Sequence, residues 1–229
     1  MVSKIRKGIL GSILTALSVT GLLAGFKEYA KSFVRESVKE EILDMTDTGD
    51  LVFEVPAGDY LSIEGEEGEP ETDVLDSWLG ITGYISGNDK ACESLHLAGI
   101  IEIPSLGIEE PVWEENTKLA MRYGVILMKN TARLESPGNA VIVGHRNTIT
   151  HTIFDKLTKI KKDDDVTITT PDGFTHNYRV NGTYYCSPYD LQNYVGASAD
   201  HPVMITLITC AREKGNSWRF IVTLIPSDA

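Results

Sequence analysis

The chain has 229 residues, 42% of them hydrophobic and 24% charged, which bounds it to one globular domain with a core of ordinary size plus appendages. Its 33 acidic residues outweigh 21 basic ones, a formal net charge of −12; phosphate recognition needs clustered Lys and Arg, so nucleic acid is excluded as a general partner. Three cysteines, Cys92, Cys186 and Cys210, are too few for a disulfide scaffold and match no zinc-binding spacing, and an odd count leaves at least one thiol free.

Residues 8–26 contain no charge. Nineteen residues at a helical rise of about 1.5 Å reach roughly 28 Å, close to a hydrocarbon thickness of about 30 Å. Lys4, Arg6 and Lys7 precede the run and predict a cytoplasmic N-terminus, although Lys27, Lys31 and Arg35 follow it. A cleaved signal peptide is the alternative. No A-x-A site follows the apolar run and helical patterning continues beyond it, so residues 1–27 are expected to be a cytoplasmic stub and an uncleaved transmembrane helix. Both readings put the remaining chain outside the cytoplasm. Residues 28–45 place Phe33, Val38, Ile42 and Met45 at near-helical spacing, which predicts an amphipathic helix leaving the membrane.

Residues 46–96 change character. Between Asp44 and Asp89 there are thirteen acidic residues and neither Lys nor Arg, the composition of a solvated linker. Two apolar islands, 51–53 and 74–79, interrupt it and are expected to dock on something. From residue 97 the texture is β-rich. Runs at 98–103, 140–143, 166–169, 174–180, 203–209 and 220–224 are separated by Pro, Gly, Asn and Asp signals, with a helical turn expected at 153–157. Short strands at this density predict a mainly β catalytic domain over 97–229, a barrel or a sandwich.

Two of these strands end in reactive side chains. The run Ile205-Thr206-Leu207-Ile208-Thr209 delivers Cys210, and Val141-Ile142-Val143-Gly144 delivers His145. Arg219 opens the next strand, nine residues after the cysteine. Cys with His is the minimum for thiol-based acyl transfer, and an arginine adds a fixed charge for substrate and oxyanion.

The sequence Thr206-Leu207-Ile208-Thr209-Cys210 resembles the TLxTC motif of sortases. Gly144-His145-Arg146 resembles the segment carrying their catalytic histidine, Arg219 falls where they carry an arginine, and residues 99–104 resemble their opening strand. The resemblance implies a sortase-type eight-stranded β-barrel with short helices, preceded here by the N-terminal transmembrane helix. It implies a single-pass protein of a Gram-positive cell membrane, catalytic domain outward. It also implies cleavage of an LPxTG-like sorting signal on secreted proteins, then transfer to an amine, either a pilin lysine or a peptidoglycan cross-bridge or lipid-linked precursor. Cys210 would be nucleophile, His145 acid and base, Arg219 oxyanion and substrate ligand, and Thr209 a further oxyanion donor. This chemistry needs no metal or organic cofactor. A cysteine endopeptidase or a non-catalytic adhesion or scaffold module are the competing functions.

Class B sortases carry a long helical insertion before the cysteine strand, and only about twenty residues separate Tyr184 from Ile205, which favours a class C-like or D-like enzyme. Asp76-Ser77-Trp78 resembles the Asp-Pro-aromatic motif of a class C lid, with Ser in place of Pro; Asp76 could pair with Arg219 while Trp78 covers Cys210. The 161–165 run is expected to be a solvated turn rather than a calcium loop. His151, His176 and His201 are expected at structural or surface positions. A Cys92–Cys186 disulfide is the remaining open possibility.

Overall fold

Near-continuous apolar runs such as Val203–Cys210 and Arg219–Pro226 are buried along almost their whole length, the signature of strands covered on both faces. The computed structural model describes residues 35–37, 39–40, 42, 52–56, 92–147, 152–195, 201–215 and 218–228. In chain order the strands are β1 (Val52–Pro56), β2 (Cys92–Ile103), β3 (Ile108–Trp113), β4 (Val125–Leu127), β5 (Gly138–Val143), β6 (Arg146–Asn147), β7 (Thr152–Ile153), β8 (Asp165–Thr169), β9 (Thr175–Cys186), β10 (Val203–Cys210) and β11 (Arg219–Pro226). Two short helices, α1 (Lys118–Tyr123) and α2 (Gln192–Val195), join them. Residues 35–37, 39, 40 and 42 are helical.

The main sheet runs β1-β2-β3-β4-β5-β10-β11-β9-β8, and β8 also pairs with β2. That last pairing closes eight strands, β2 to β5 and β8 to β11, into a barrel and leaves no free edge among them. The strand β1 lies outside the ring, antiparallel to β2 with Val52 opposite His96 and Pro56 opposite Cys92. The apolar island at 51–53 therefore does dock, with Phe53 and Val55 buried. The island at 74–79 and the apolar run at 8–26 lie outside the described residues. Among those described, no helix is long and apolar enough to cross a membrane.

Alternation along the strands divides the core in two. Ile101, Ile142, Ile168, Val180, Leu207 and Val222 fill the barrel together with Phe154 and Leu157. The opposite face is roofed by a second apolar layer that includes Phe53, Trp113, Leu119, Val143, Cys186, Leu191, Ile208 and Ile221. Trp113 is fully buried there, with the Phe53 ring edge-on at 5.9 Å.

Each strand expected from sequence is present. The helical turn expected at 153–157 is instead the strand residue Ile153, a turn, and a 3-10 helix at Leu157–Lys159. The acidic run at 161–165 closes as a turn in which Asp164 accepts from the Lys161 backbone and the Ser105 hydroxyl. Cys186 is a free thiol, so it forms no disulfide with Cys92.

Helical residues before the barrel are tied to it by a buried ion pair. Both carboxylate oxygens of Glu110 on β3 accept from Arg35 Nη2, at 2.6 and 2.7 Å, and Lys39 Nζ lies 3.8 Å away. Removing one partner of such a pair leaves the other charge buried alone. Glu110→Ala is therefore expected to lower unfolding free energy by about 3 kcal/mol, read as a shifted denaturant midpoint.

Candidate active site

The register of three neighbouring strands builds the site. On the antiparallel pair β10–β11, Cys210 stands directly opposite Arg219, so their Cα atoms are about 5 Å apart. On the parallel pair β5–β10, Val143 stands opposite Ile208, and the ladder continues as Gly144 N donates to Ile208 O at 3.1 Å. His145 follows two residues after the last paired residue of β5, and Cys210 two residues after its partner Ile208, so the two lie at the same end of neighbouring strands.

Parity sets which face these side chains share. Ile208 and Ile221 belong to the outer apolar layer, and Cys210 and Arg219 lie two residues from them on β10 and β11, hence on the same face. Cys210 and His145 are partly exposed, whereas Arg219 is buried, with one guanidinium nitrogen donating to Trp218 O at 2.9 Å. The structure thus sets Cys210 beside Arg219 at one end of the sheet, with His145 just past the end of the neighbouring strand β5, so a reachable thiol and imidazole lie near a fixed positive charge.

Thr209 faces the other way. Its hydroxyl is buried and donates to Gly144 O at 2.8 Å, so the side chain braces the cysteine strand against the backbone that carries His145. Gly144 is required for that approach: a Cβ there would lie 2.7 Å from both Phe154 Cδ2 and Val125 Cγ1, closer than packed atoms tolerate. His145 O in turn accepts from Phe154 N at 3.1 Å. Asp76 and Trp78 lie outside the described residues, as does His151. His176 sits on β9 and His201 just before β10, and neither joins the row.

Sequence spacing gave Cys186 no place, yet β9 pairs with β11 so that Cys186 stands opposite Arg219 on its other side. The row across the sheet reads Cys186, Arg219, Cys210, and His145 stands just past the end of the next strand, β5. Two strand spacings separate the thiols, beyond the roughly 7 Å that a disulfide can bridge. Burial, and after it the Asp190 carboxylate, push the Cys186 thiol up to about 11 against the opposing pull of Arg219. Cys186 is then a neutral thiol at about pH 8, and only a thiolate is alkylated rapidly. Limiting iodoacetamide is expected to label Cys210 and spare Cys186 in a peptide map; faster labelling of Cys186 would contradict this ordering.

Sequence reasoning also missed the supports around the row. Asn139 on β5 accepts from the Thr206 hydroxyl at 2.9 Å and donates to Tyr194 O at 2.8 Å, which anchors α2 to the sheet next to the thiol strand. Arg146, Glu213 and Tyr185 form a second cluster, with Arg146 and Tyr185 both donating to the Glu213 carboxylate. The available signal was a pair of opposite charges, one adjacent to His145 and one three residues past Cys210.

Known proteins share this barrel. Residues 101–225 match the model of the sortase domain, more than half of the chain. Sortase A of Bacillus anthracis is 28% identical over 134 residues, which cover 58% of this chain and 61% of that protein, so the matched segment spans less than two thirds of the relative. The crystal structure of Streptococcus agalactiae sortase C1 in complex with MTSET is 26% identical and superposes with a TM-score of 0.50, covering 57% of this chain and 70% of that one. Sortase A from Corynebacterium diphtheriae shares the fold over 88% of this chain and 86% of its own, at 21% identity and a TM-score of 0.51. With the domain match over the barrel, and Cys210 beside Arg219 with His145 at the end of the neighbouring strand, this chain belongs to the sortase family.

Proposed function

We propose that the chain is a membrane-anchored cysteine transpeptidase that cleaves an LPxTG-like sorting signal and transfers the acyl part to an amine. The observation that carries this reading is the cross-strand pair Cys210–Arg219 with His145 one strand away. The Cys210 thiolate attacks the threonine carbonyl. The oxyanion that forms is stabilised by Arg219, a charge held in place before the reaction begins. His145 gives its proton to the departing glycine amine as the C–N bond breaks, leaving a thioester. An incoming amine then attacks the thioester, His145 takes the proton, and the Cys210 thiolate leaves.

In this reading residues 1–27 are the cytoplasmic stub and transmembrane anchor, and the helix of 28–45 docks on the barrel through Arg35 and Glu110. The enzyme faces outward from a Gram-positive membrane, where secreted proteins bearing sorting signals emerge. The connection between β9 and β10 is short, which suits a class C-like or D-like enzyme and either pilus assembly or cell-wall anchoring.

Within the acidic segment, residues 57–91 act as a lid in the same reading. Pro56 pairs with Cys92, so the residues that flank 57–91, the stretch that holds Asp76 and Trp78, lie side by side on β1 and β2. Trp78→Ala is expected to raise the alkylation rate of Cys210 several-fold; an unchanged or slower rate would remove the lid from the account.

The reading is tested by incubating purified protein with an LPxTG-type peptide and a panel of amines, including a lysine side chain and cross-bridge-type peptides. Ligation of the acyl fragment to at least one amine is expected. Hydrolysis alone, with every amine ignored, would make the enzyme an endopeptidase.

A further inference from the structure

The Glu213 carboxylate receives two donors from two different elements. Tyr185 on β9 donates its hydroxyl to Oε1 at 3.0 Å, and the Arg146 guanidinium donates to Oε2. Each residue involved is tied to a member of the catalytic row. Arg146 follows His145; Tyr185 precedes Cys186, and its ring tilts against Phe220, the residue after Arg219, at 5.0 Å and 59°. Glu213 itself lies three residues past Cys210 in the 3-10 turn Arg212–Lys214, closed by Lys214 N donating to Ala211 O at 2.9 Å. Lys214 adds its ammonium 5.3 Å above the Tyr185 ring.

This cluster lies behind the row. Cys186 belongs to the outer apolar layer, whereas Phe220 belongs to the barrel interior, and alternation along β9 and β11 turns Tyr185 and Phe220 away from the face of Cys186 and Arg219. The cluster is also built to stay charged. Partial burial opposes ionisation of Glu213, but its own backbone N–H, Arg146 and Tyr185 hold its carboxyl below the usual carboxylate range. Burial, together with Glu213, raises the Tyr185 phenol, which keeps it a hydrogen-bond donor.

We propose that Glu213 is a positioning residue: by tying Arg146 to Tyr185 it fixes the His145 segment against the Cys210 segment and sets the thiol–imidazole geometry. The inference rests on the transpeptidase reading for its kinetics but not for its chemical readout. Glu213 keeps 38% of its side chain exposed against 16% for Arg146, so solvent reaches the pair from the carboxylate side and it adds little to stability. Its effect falls on geometry, where a displacement of about 1 Å is enough to cost up to a hundredfold in rate.

The test compares full-length wild type with Glu213→Ala, Arg146→Ala, the double variant and the charge swap Arg146→Glu with Glu213→Arg. Turnover of an LPxTG-type peptide, melting temperature and the iodoacetamide rate of Cys210 are measured on each. Either single variant is expected to lower kcat about tenfold with KM unchanged within about twofold. The double variant is expected to be no worse than the singles, and the swap to recover most of kcat. Melting temperatures should stay within about 2 °C of wild type. Unchanged kcat, a loss carried by KM, additive losses, or no recovery in the swap would each overturn the proposal. If wild type turns over no sorting-signal peptide, the transpeptidase reading fails instead. Alkylation then decides the positioning role by itself: a rate lowered several-fold in Glu213→Ala supports it, because an imidazole beside the thiol promotes the thiolate, and an unchanged rate refutes it.

Discussion

Cys210→Ala is expected to lower turnover of a sorting-signal peptide by at least about ten-thousandfold while leaving the fold and peptide binding intact. On the proposed assignment no other group can take over the bond the thiol makes. Cys186 faces the same row, but it is buried and its thiol is pushed up to about 11, so it remains protonated where the enzyme would work. Cys210 is partly exposed, so an alanine methyl fits the site without a new void of consequence. A circular dichroism spectrum and melting temperature matching wild type would separate lost chemistry from lost structure. Residual cleavage at a substantial fraction of the wild-type rate would mean that the nucleophile lies elsewhere, or that the chain is a non-catalytic module contaminated by another enzyme.

His145→Ala carries the next largest effect. General acid–base catalysis contributes about 10²–10⁴ in rate, and the leaving amine of a peptide cannot depart without a proton. The loss is expected almost wholly in kcat, because the imidazole acts on the reacting nitrogen rather than on the rest of the substrate. The fold should survive, since His145 is partly exposed and the backbone around it is held by other contacts: Phe154 N to His145 O, Gly144 N to Ile208 O, and the Thr209 hydroxyl to Gly144 O. Retention of kcat within about threefold of wild type would exclude His145 as the proton donor.

The parts of the fold legible in sequence were those whose burial is two-sided. The runs at β5, β10 and β11 are apolar at nearly every position because the barrel core covers one face and the outer layer covers the other. Strand β3 was not legible, for a physical reason: Glu109, Glu110 and Pro111 interrupt its apolar pattern. Glu110 is nonetheless buried, paired with Arg35 from 75 residues earlier in the chain. Nothing local announces such a partner. Helix α1 is only six residues long, too short to show a period, although Thr117 caps it by accepting from Ala120 N.

The site divides in the same way. Cys210, His145 and Arg219 sit at strand ends within recognisable motifs, so residue type and position both pointed to them. Cys186 and the Arg146–Glu213–Tyr185 cluster depend on register between strands far apart in the chain, which no spacing along one segment encodes. Thr209 was legible as part of a motif, but its direction was not; only the pairing of β5 with β10 shows that its hydroxyl meets Gly144 O.

Intact mass spectrometry of the purified enzyme after brief exposure to an LPxTG-type peptide shows whether Cys210 carries a thioacyl intermediate. The expected result is a mass gain equal to the peptide fragment through threonine, mapped to Cys210, discharged by an added amine and absent from Cys210→Ala. An adduct on another residue, or cleavage that persists in Cys210→Ala, would contradict it.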